Sequence, residues 1–176
     1  MLKGKNLELR ALEPDDVDLL YAWENDGQLW HLSNAVAPFS RFVLEQYVMS
    51  SGQDIYSSKQ LRLMIDKIDE GEPKTIGSID IFDFDPANRR AGLGILIVKE
   101  ERKRGYASEA LEILMGYCFG VLHLHQLYCN ITADNEASMK LFSKAGFKVV
   151  GLKKEWLHIR DSWVDEYLLQ KVGDVA

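Results

Sequence analysis

The sequence predicts a mixed α/β fold, and three observations lead to that prediction. Residues 91–98 form an apolar, β-branched run that is typical of a strand covered on both faces. Residues 107–122 place apolar side chains at spacings of three and four, which is the pattern of one buried helix face. The predicted order of elements, β-α-α-β-β-β-α-β-α-β-β, lacks the regular alternation of a doubly wound sheet. We therefore expect a mixed sheet flanked by helices.

Composition limits the classes of protein to consider. The chain has 176 residues, 47% of them hydrophobic and 27% charged, and we expect residues 1–176 to form one domain. A formal net charge of −6 argues against a nucleic-acid partner and suits a cationic amine substrate. Two cysteines do not make a disulfide framework. With no signal-like N-terminus and no apolar run long enough to span a bilayer, we expect a cytoplasmic protein without a membrane partner.

The N-terminal half predicts two helices between strands. A first strand over residues 6–11 precedes Pro14, which stands in the first turn of a helix. A second short helix follows Ser40. We expect the polar residues 50–58 to be mobile, and we expect further strands at residues 61–65 and 76–81.

The C-terminal half continues this pattern. Residues 126–131 predict a short strand, and the next helix can be capped by Asp134 or Asn135. Gly146 stands where a helix ends in a left-handed residue. Two extended segments, 147–157 and 163–171, complete the chain.

Between the strand at 91–98 and its helix, basic residues crowd around Gly105. A strand that feeds a helix through such a loop directs several backbone N–H groups at one point, beside the positive end of the helix. Gly105 lets the backbone approach a phosphate without a Cβ in the way, and arginines supply guanidinium groups for its oxygens. The loop therefore predicts a pyrophosphate site, with a basic helix N-terminus as the structural alternative. The residues of this site are Arg102, Lys103, Arg104, Gly105, Tyr106, Ala107 and Ser108.

Two motifs carry a resemblance to a known family. The Arg102-x-x-Gly105-x-Ala107 pattern resembles the acetyl-CoA pyrophosphate loop of the GNAT N-acetyltransferases. The helix led by Asn135, closing in Lys144-Ala145-Gly146-Phe147, resembles the second signature of that family. The order of the motifs is also that of the family, with one helix and one strand between them. The RimJ/RimL-type protein N-terminal acetyltransferases and the SpeG-type spermidine acetyltransferases are the subgroups it resembles.

The resemblance implies the GNAT fold, a strongly twisted mixed β-sheet flanked by helices. That sheet splays open between its fourth and fifth strands, at residues 91–98 and 126–131, so that the pantetheine arm of acetyl-CoA pairs with strand backbone. Gly92 and Gly94 would allow the bulge or close approach that such a strand needs. Acetyl-CoA is the implied cosubstrate, and a homodimer or higher homo-oligomer is compatible with the family. By family analogy, cosubstrate contacts also come from Ile97, Val98, Asn135, Ser138, Phe142 and Lys144, with backbone N–H groups near Ile97 and Val98 stabilising the oxyanion.

The implied catalytic residues include one departure from the family pattern. Many family members have a tyrosine, the proton donor to the leaving thiolate, where this chain has Phe142. Ser138 is the replacement candidate, unless its hydroxyl only bonds its own helix backbone. Glu155 is the candidate base for the amine, and we expect it to be partly buried beside Trp156, with a surface carboxylate paired to a lysine as the alternative.

The acceptor is the least determined feature. By resemblance, the N-terminal region supplies acceptor specificity, and the candidate residues are Glu24, Trp30, His31 and Tyr47, which could equally be helix surface and core. His123 and His125 lack partners for a metal site, so no metal is expected. The Asn135-x-x-Ser138 element and Phe142 favour a protein or peptide N-terminal amine, acetylated directly in a ternary complex. Resemblance of residues 124–128 and 151–171 to the SpeG type gives a polyamine as the alternative, and a non-catalytic acyl-CoA sensor is a third.

Overall fold

The computed structural model describes residues 2–27, 37–68, 72–159 and 161–173. The strands are β1 Leu2–Lys3, β2 Leu7–Ala11, β3 Leu61–Lys67, β4 Lys74–Asp85, β5 Arg90–Ile97, β6 Gln126–Thr132, β7 Lys148–Ile159 and β8 Ser162–Val172. The helices are α1 Val17–Glu24, α2 Arg41–Ser50, α3 Ile55–Ser58, α4 Tyr106–Gly120 and α5 Glu136–Lys144, with short 3₁₀ turns at Pro14–Asp16 and Lys99–Glu101. No helix in these ranges is long and apolar enough to cross a membrane.

Within the described residues the strands form one sheet, in the order β1-β2-β3-β4-β5-β6-β8-β7. Neighbouring strands are antiparallel except β5 and β6, which run parallel because α4 connects them. The mixed α/β fold predicted from the sequence is confirmed. β1, too short to show a hydrophobic pattern, was not predicted.

The sheet splays open between β5 and β6, as expected. The two strands pair only at Arg90–Gln126, Ala91–Leu127 and Gly92–Tyr128. Beyond Gly92, β5 stays with β4 as far as Ile97, while β6 stays with β8 as far as Thr132. One edge of β5 therefore faces an opening in the middle of the sheet.

Helices cover the two faces of the sheet unequally. On one face, α4 and α5 contribute Ala110, Leu111, Leu114 and Phe142 to the large core, where they join strand residues such as Ile65 and Ile79. On the other face, α1 and α2 pack over Met64 through a smaller cluster that includes Leu20, Leu44 and Val48. The opening between β5 and β6 lies beside this smaller cluster.

Two local expectations concern the loop at 50–58 and the glycines of β5. Residues 50–58, which we expect to be mobile, include the short helix α3, and Asp54 caps it by accepting hydrogen bonds from the N–H groups of Tyr56 and Ser57. The expected close approach occurs at Gly92, whereas the bulge lies in β4, between Phe82 and Asp85.

Candidate active site

The opening between β5 and β6 forms a cleft of about 800 Å³. It brings together five residues that the sequence singled out: Glu24 and Tyr47 from α1 and α2, and Asn135, Ser138 and Phe142 at α5. The cleft also contains charged residues that sequence reasoning missed, namely Arg62, Asp80, Asp83, Lys153 and Glu166. Residues from several strands and three helices thus converge where the sheet is open.

The register of β5 decides which of its amides face the opening. The Val98 N–H donates a 2.9 Å hydrogen bond to the Ile76 carbonyl of β4. In an antiparallel pair, alternate residues direct their N–H and C=O groups to the partner strand. The N–H groups of Ile95 and Ile97 therefore point away from β4, towards the splayed edge. The expectation that the Val98 amide is available as a donor is wrong, because β4 engages that amide, whereas the amides of Ile95 and Ile97 face the opening.

The loop after β5 has the backbone geometry of a phosphate site. Gly105 is the N-cap of α4 and has a left-handed φ of +86°, which glycine adopts without strain. The first helical bond runs from Glu109 N–H to the Gly105 carbonyl, at 3.1 Å. The N–H groups of Tyr106, Ala107 and Ser108 precede that bond and project from the positive end of the helix. An anion of diphosphate shape and charge suits this point.

The basic side chains of the loop are held in different ways. Arg102 donates through Nε to the Ile97 carbonyl at 2.9 Å. Arg104 lies 3.3 Å from the buried carboxylate of Glu101, which Lys74 also contacts at 3.2 Å. The hydrogen bond from Lys74 lowers the pKa of Glu101, and the charge of Arg104 adds to the effect. Glu101 therefore pairs with two cations close to the start of α4.

Other candidate residues for the phosphate site lie either in the large core or in a groove along α4. Tyr106 and Ala107 pack against the large core, and Lys67 Nζ lies 5.9 Å from the Tyr106 ring centroid. Ser108 and Lys144 line a groove along α4 together with Gly105. Lys144 therefore lies beside the phosphate loop and outside the cleft.

The second family signature forms the capped helix α5. The Asn135 side chain accepts a 3.1 Å hydrogen bond from the Ser138 N–H, which fixes the first turn. Phe142 is 3% exposed, and its ring meets that of Phe147 edge to face at 5.1 Å. Gly146 ends the helix with a φ of +91°. Phe142 is thus a core residue with one side on the cleft, while Ser138 is a half-buried cleft residue.

An acidic cluster lies on the wall formed by β3, β4 and α1. Arg62 donates from Nε to Asp80 and from Nη1 to Glu24, each at 2.6 Å. Its guanidinium also stacks over Tyr47, 5.6 Å from the ring centroid. Two carboxylates thus contact one guanidinium. Burial raises the pKa of Asp80 above its usual range, with a contribution from Glu24, although Arg62 opposes the shift.

The sequence contained a signal for this cluster. Arg62 and Asp80 each interrupt an apolar strand, and they are cross-strand partners in the β3–β4 register. A charge within an apolar strand indicates a buried pair or a site, but the register that joins the two is set by tertiary structure.

The opposite wall carries a second ion pair. Lys153 pairs with the buried carboxylate of Glu166 and donates to Asn130 Oδ1 at 3.0 Å. Each charge of this pair has a partner of opposite sign. Among the described residues that line the cleft, the acidic side chains outnumber the basic ones: Glu24, Asp80, Asp83 and Glu166 against Arg62 and Lys153.

Glu155 differs from its expected setting. It is exposed, lies in the irregular part of β7 between Lys153 and Leu157, and has a φ of 47°. Its N–H donates to Asp165 Oδ1 at 2.8 Å, and it lines a separate, shallow pocket with Asp134 and Trp163. The expected partial burial beside Trp156 is wrong, because the bulge turns the chain outwards and leaves Trp156 57% exposed.

Two acceptor candidates, Trp30 and His31, lie outside the described residues. Within the ranges that are described, no group of three or more His, Cys, Asp or Glu side chains could hold a metal ion. Besides its charged residues, the cleft is lined by hydroxyl and carboxamide side chains, namely Tyr47, Ser78, Thr132, Ser138, Gln60, Asn130 and Asn135.

Comparisons with known proteins agree with this geometry. A family model described as "Acetyltransferase (GNAT) domain" matches residues 6–148. The chain is 26% identical to the probable N-acetyltransferase YjcK of Bacillus subtilis, over 96% of this chain and 95% of the relative. It is 25% identical to spermidine N(1)-acetyltransferase of Escherichia coli K12, over 86% of this chain and 77% of the relative.

A solved structure shares the fold. It is a spermidine N-acetyltransferase from Vibrio cholerae in complex with CoA and spermine, with a TM-score of 0.85, 22% identity and coverage of 96% of both chains. The family match spans most of the sequence and includes both the phosphate loop and the splayed strands. The chain therefore belongs to the GNAT acetyltransferases, and it is an N-acetyltransferase that takes its acetyl group from acetyl-CoA.

Proposed function

We propose that this enzyme acetylates a primary amine of a small, linear polyamine by direct transfer in a ternary complex. The observation that carries the proposal is the cluster of Asp80, Glu24 and Arg62 in the cleft. The cluster belongs to the acidic lining of the cleft and lies beside the open edge of β5, where an acyl group bound along that edge would be presented. Spermidine acetyltransferases among the relatives support the same substrate class.

The charge of the cluster favours an ammonium group. Asp80 and Glu24 have 26% and 17% of their side chains exposed, so each is partly desolvated yet reachable from the cleft. A cation entering the cleft is attracted to these carboxylates, and at reduced solvent exposure that attraction is stronger than at the surface. A polyamine offers further ammonium groups to the acidic protein as a whole.

The motif that suggested a peptide acceptor has another explanation. Asn135 and Ser138 are joined by a capping hydrogen bond, so their spacing is required for α5 to begin. Phe142 fills the core against Phe147. Neither feature discriminates between acceptors, which removes the reason for preferring peptide amines.

Each step of the proposed reaction is assigned to a different group in the cleft. Bound acetyl-CoA supplies the thioester carbonyl that the amine attacks. Asp80, whose pKa is raised, accepts the proton that the ammonium must lose before it becomes nucleophilic. The N–H groups of Ile95 and Ile97 face the edge where the carbonyl oxygen gains charge, and one such donor is worth about 3 kcal/mol. Ser138 relays the second proton that the nitrogen loses to the departing thiolate, so CoA leaves as a thiol and the serine hydroxyl is restored.

The chain holds the cosubstrate at two places. The amides at the start of α4 and the basic loop suit its diphosphate, and the open edge of β5 suits the amide groups of its pantetheine arm. This division leaves the Asp80 wall for the acceptor.

An amine panel tests the proposal. CoA release would be followed with acetyl-CoA and spermidine, spermine, putrescine or short peptides with free N-termini. We expect kcat/KM for spermidine or spermine to exceed that for peptides by roughly a hundredfold. Faster acetylation of the peptides would overturn the polyamine assignment.

Substitution of Asp80 tests the proposed base. Asp80→Asn is expected to lower kcat by about a hundredfold or more, because the amide cannot accept the ammonium proton. The matched control is Glu8→Gln on β2, where the carboxylate pairs with Lys3 at 3.8 Å and lies outside the cleft. Equal effects in the two variants would exclude Asp80 as the base.

A further inference from the structure

Two glycines of β5 lie on the face of the sheet that carries the acidic cluster. In the β4–β5 register, Phe82 is opposite Gly92 and Asp80 is opposite Gly94. Directly opposite residues in an antiparallel pair share a face. A side chain at position 92 or 94 would therefore project from the same face as Phe82 and Asp80.

The two glycines meet different surroundings. A Cβ at Gly92 would stand 2.2 Å from the Phe82 ring, so the ring occupies the place of a side chain there. A Cβ at Gly94 would have its nearest neighbour, Phe82 Cε1, at 3.8 Å, which is ordinary van der Waals contact. Neither residue has a left-handed φ. Packing thus accounts for Gly92, whereas neither packing nor backbone conformation requires glycine at position 94.

Gly94 lies between the two halves of the proposed chemistry. Asp80 stands opposite it on β4, and the next residue, Ile95, directs its N–H to the splayed edge on the other side. Gly94 itself lines the cleft. An amine held at Asp80 must cross β5 at this bare stretch of backbone to reach a carbonyl at the edge.

We infer that Gly94 is the acceptor passage, the position whose missing side chain lets the amine reach the acyl group. The inference rests on the proposed function in one respect, namely that Asp80 holds the amine. A side chain at position 94 would stand between Asp80 and the amide edge without touching the phosphate loop. It should therefore obstruct the acceptor and spare cosubstrate binding.

The test uses Gly94→Ala and Gly94→Val in the full chain. The free space allows a methyl group, and β-branched residues suit a strand, so both variants should fold. With spermidine, we expect kcat/KM to fall roughly tenfold for the alanine variant and about a hundredfold for the valine variant. CoA affinity measured by calorimetry should stay within about twofold of wild type, since binding of that ligand does not use position 94.

A small acceptor separates obstruction from a general defect. Methylamine needs less width than spermidine, so its kcat/KM should fall much less in Gly94→Val. Gly52→Val is the matched control, because Gly52 is exposed and a Cβ there would meet nothing within 4 Å. It should behave as wild type with both amines.

Three results would overturn the proposal that Gly94 is the acceptor passage. They are wild-type kcat/KM for spermidine in Gly94→Val, equal losses with spermidine and methylamine, and a parallel loss of CoA affinity. Failure of the proposed function is a separate outcome, visible as wild-type enzyme that does not acetylate polyamines. The amine that wild type does accept would then be used in the same comparison.

Discussion

Arg102 donates a 2.9 Å hydrogen bond from Nε to the main-chain carbonyl of Ile97. Ile97 is the last residue of β5, and its own N–H faces the splayed edge. One side chain thus joins the loop suited to the diphosphate with the strand end suited to the thioester. This hydrogen bond couples the position of the loop to the position of the strand end.

Replacing Arg102 should affect both cosubstrate binding and turnover. Arg102→Lys keeps the charge but loses the planar Nε donor, so we expect KM for acetyl-CoA to rise about tenfold and kcat to fall several-fold. Steady-state kinetics with acetyl-CoA varied would measure the two effects. Lys140→Arg, at an 82% exposed cation on α5, is the matched control for exchanging one basic side chain for another. An unchanged KM would show that the bond to Ile97 has no role in binding.

Removal of the Ser138 hydroxyl should slow turnover only moderately. A thiol has a pKa near 8.5, so the thiolate leaves tolerably well without a strong acid. Ser138→Ala should lower kcat roughly tenfold, below the usual range for acid catalysis. The cap of α5 survives the change, because Asn135 bonds to the backbone N–H of residue 138. A loss of a thousandfold or more in a folded variant would contradict this expectation.

Glu155 should prove dispensable for proton transfer. It is exposed in the bulge of β7 and lines a pocket apart from the cleft, so Glu155→Gln is expected to change kcat/KM by less than about threefold at neutral pH. The measurement should be made beside Asp80→Asn. If Glu155→Gln shows the larger loss, Glu155 is the base and the role proposed for Asp80 is wrong.

Glu109 should make stability depend on pH. Its carboxylate accepts from Asn6 N–H at 2.7 Å, Asn6 Nδ2 at 2.8 Å and Leu7 N–H at 3.2 Å, which ties the start of β2 to α4. Burial acts to raise the pKa of Glu109, but the hydrogen bonds from Asn6 and Leu7 outweigh it and lower the pKa overall. A carboxyl group with a lowered pKa stabilises the fold above its unfolded value and loses that contribution as pH falls through the folded value.

Thermal unfolding at several pH values measures the Glu109 contribution. At pH 7, Glu109→Gln should cost about 1–2 kcal/mol, which lowers Tm by a few degrees. The difference from wild type should shrink as pH falls through the unfolded-state pKa and then through the lower folded-state pKa, where the carboxyl becomes protonated. Glu112→Gln, an exposed neighbour on α4, should leave Tm unchanged at every pH. A pH-independent difference would show that the charge of Glu109 is not the cause.

Local features such as helix caps and turns could be predicted from the sequence. Features that depend on the register between strands could not. Gly105 and Gly146 have the left-handed conformations that their loop and helix end require, and Asn135 caps its helix as expected. The amide of Val98 was misjudged because the direction of a strand N–H depends on register with β4. Arg62 and Asp80 meet for the same reason, and a single bulge in β7 places Glu155 in solvent.

Because β5 and β6 pair over only three residues, amide exchange in β5 can report the binding of CoA. Strand pairing ends after Gly92, so the Ile95 and Ile97 amides lack the protection that a neighbouring strand gives. A coenzyme arm lying along that edge would supply the missing protection. Deuterium uptake at these two amides should therefore be fast in the free enzyme and slow in the CoA complex, which would reveal occupancy at single-residue level without any acceptor present.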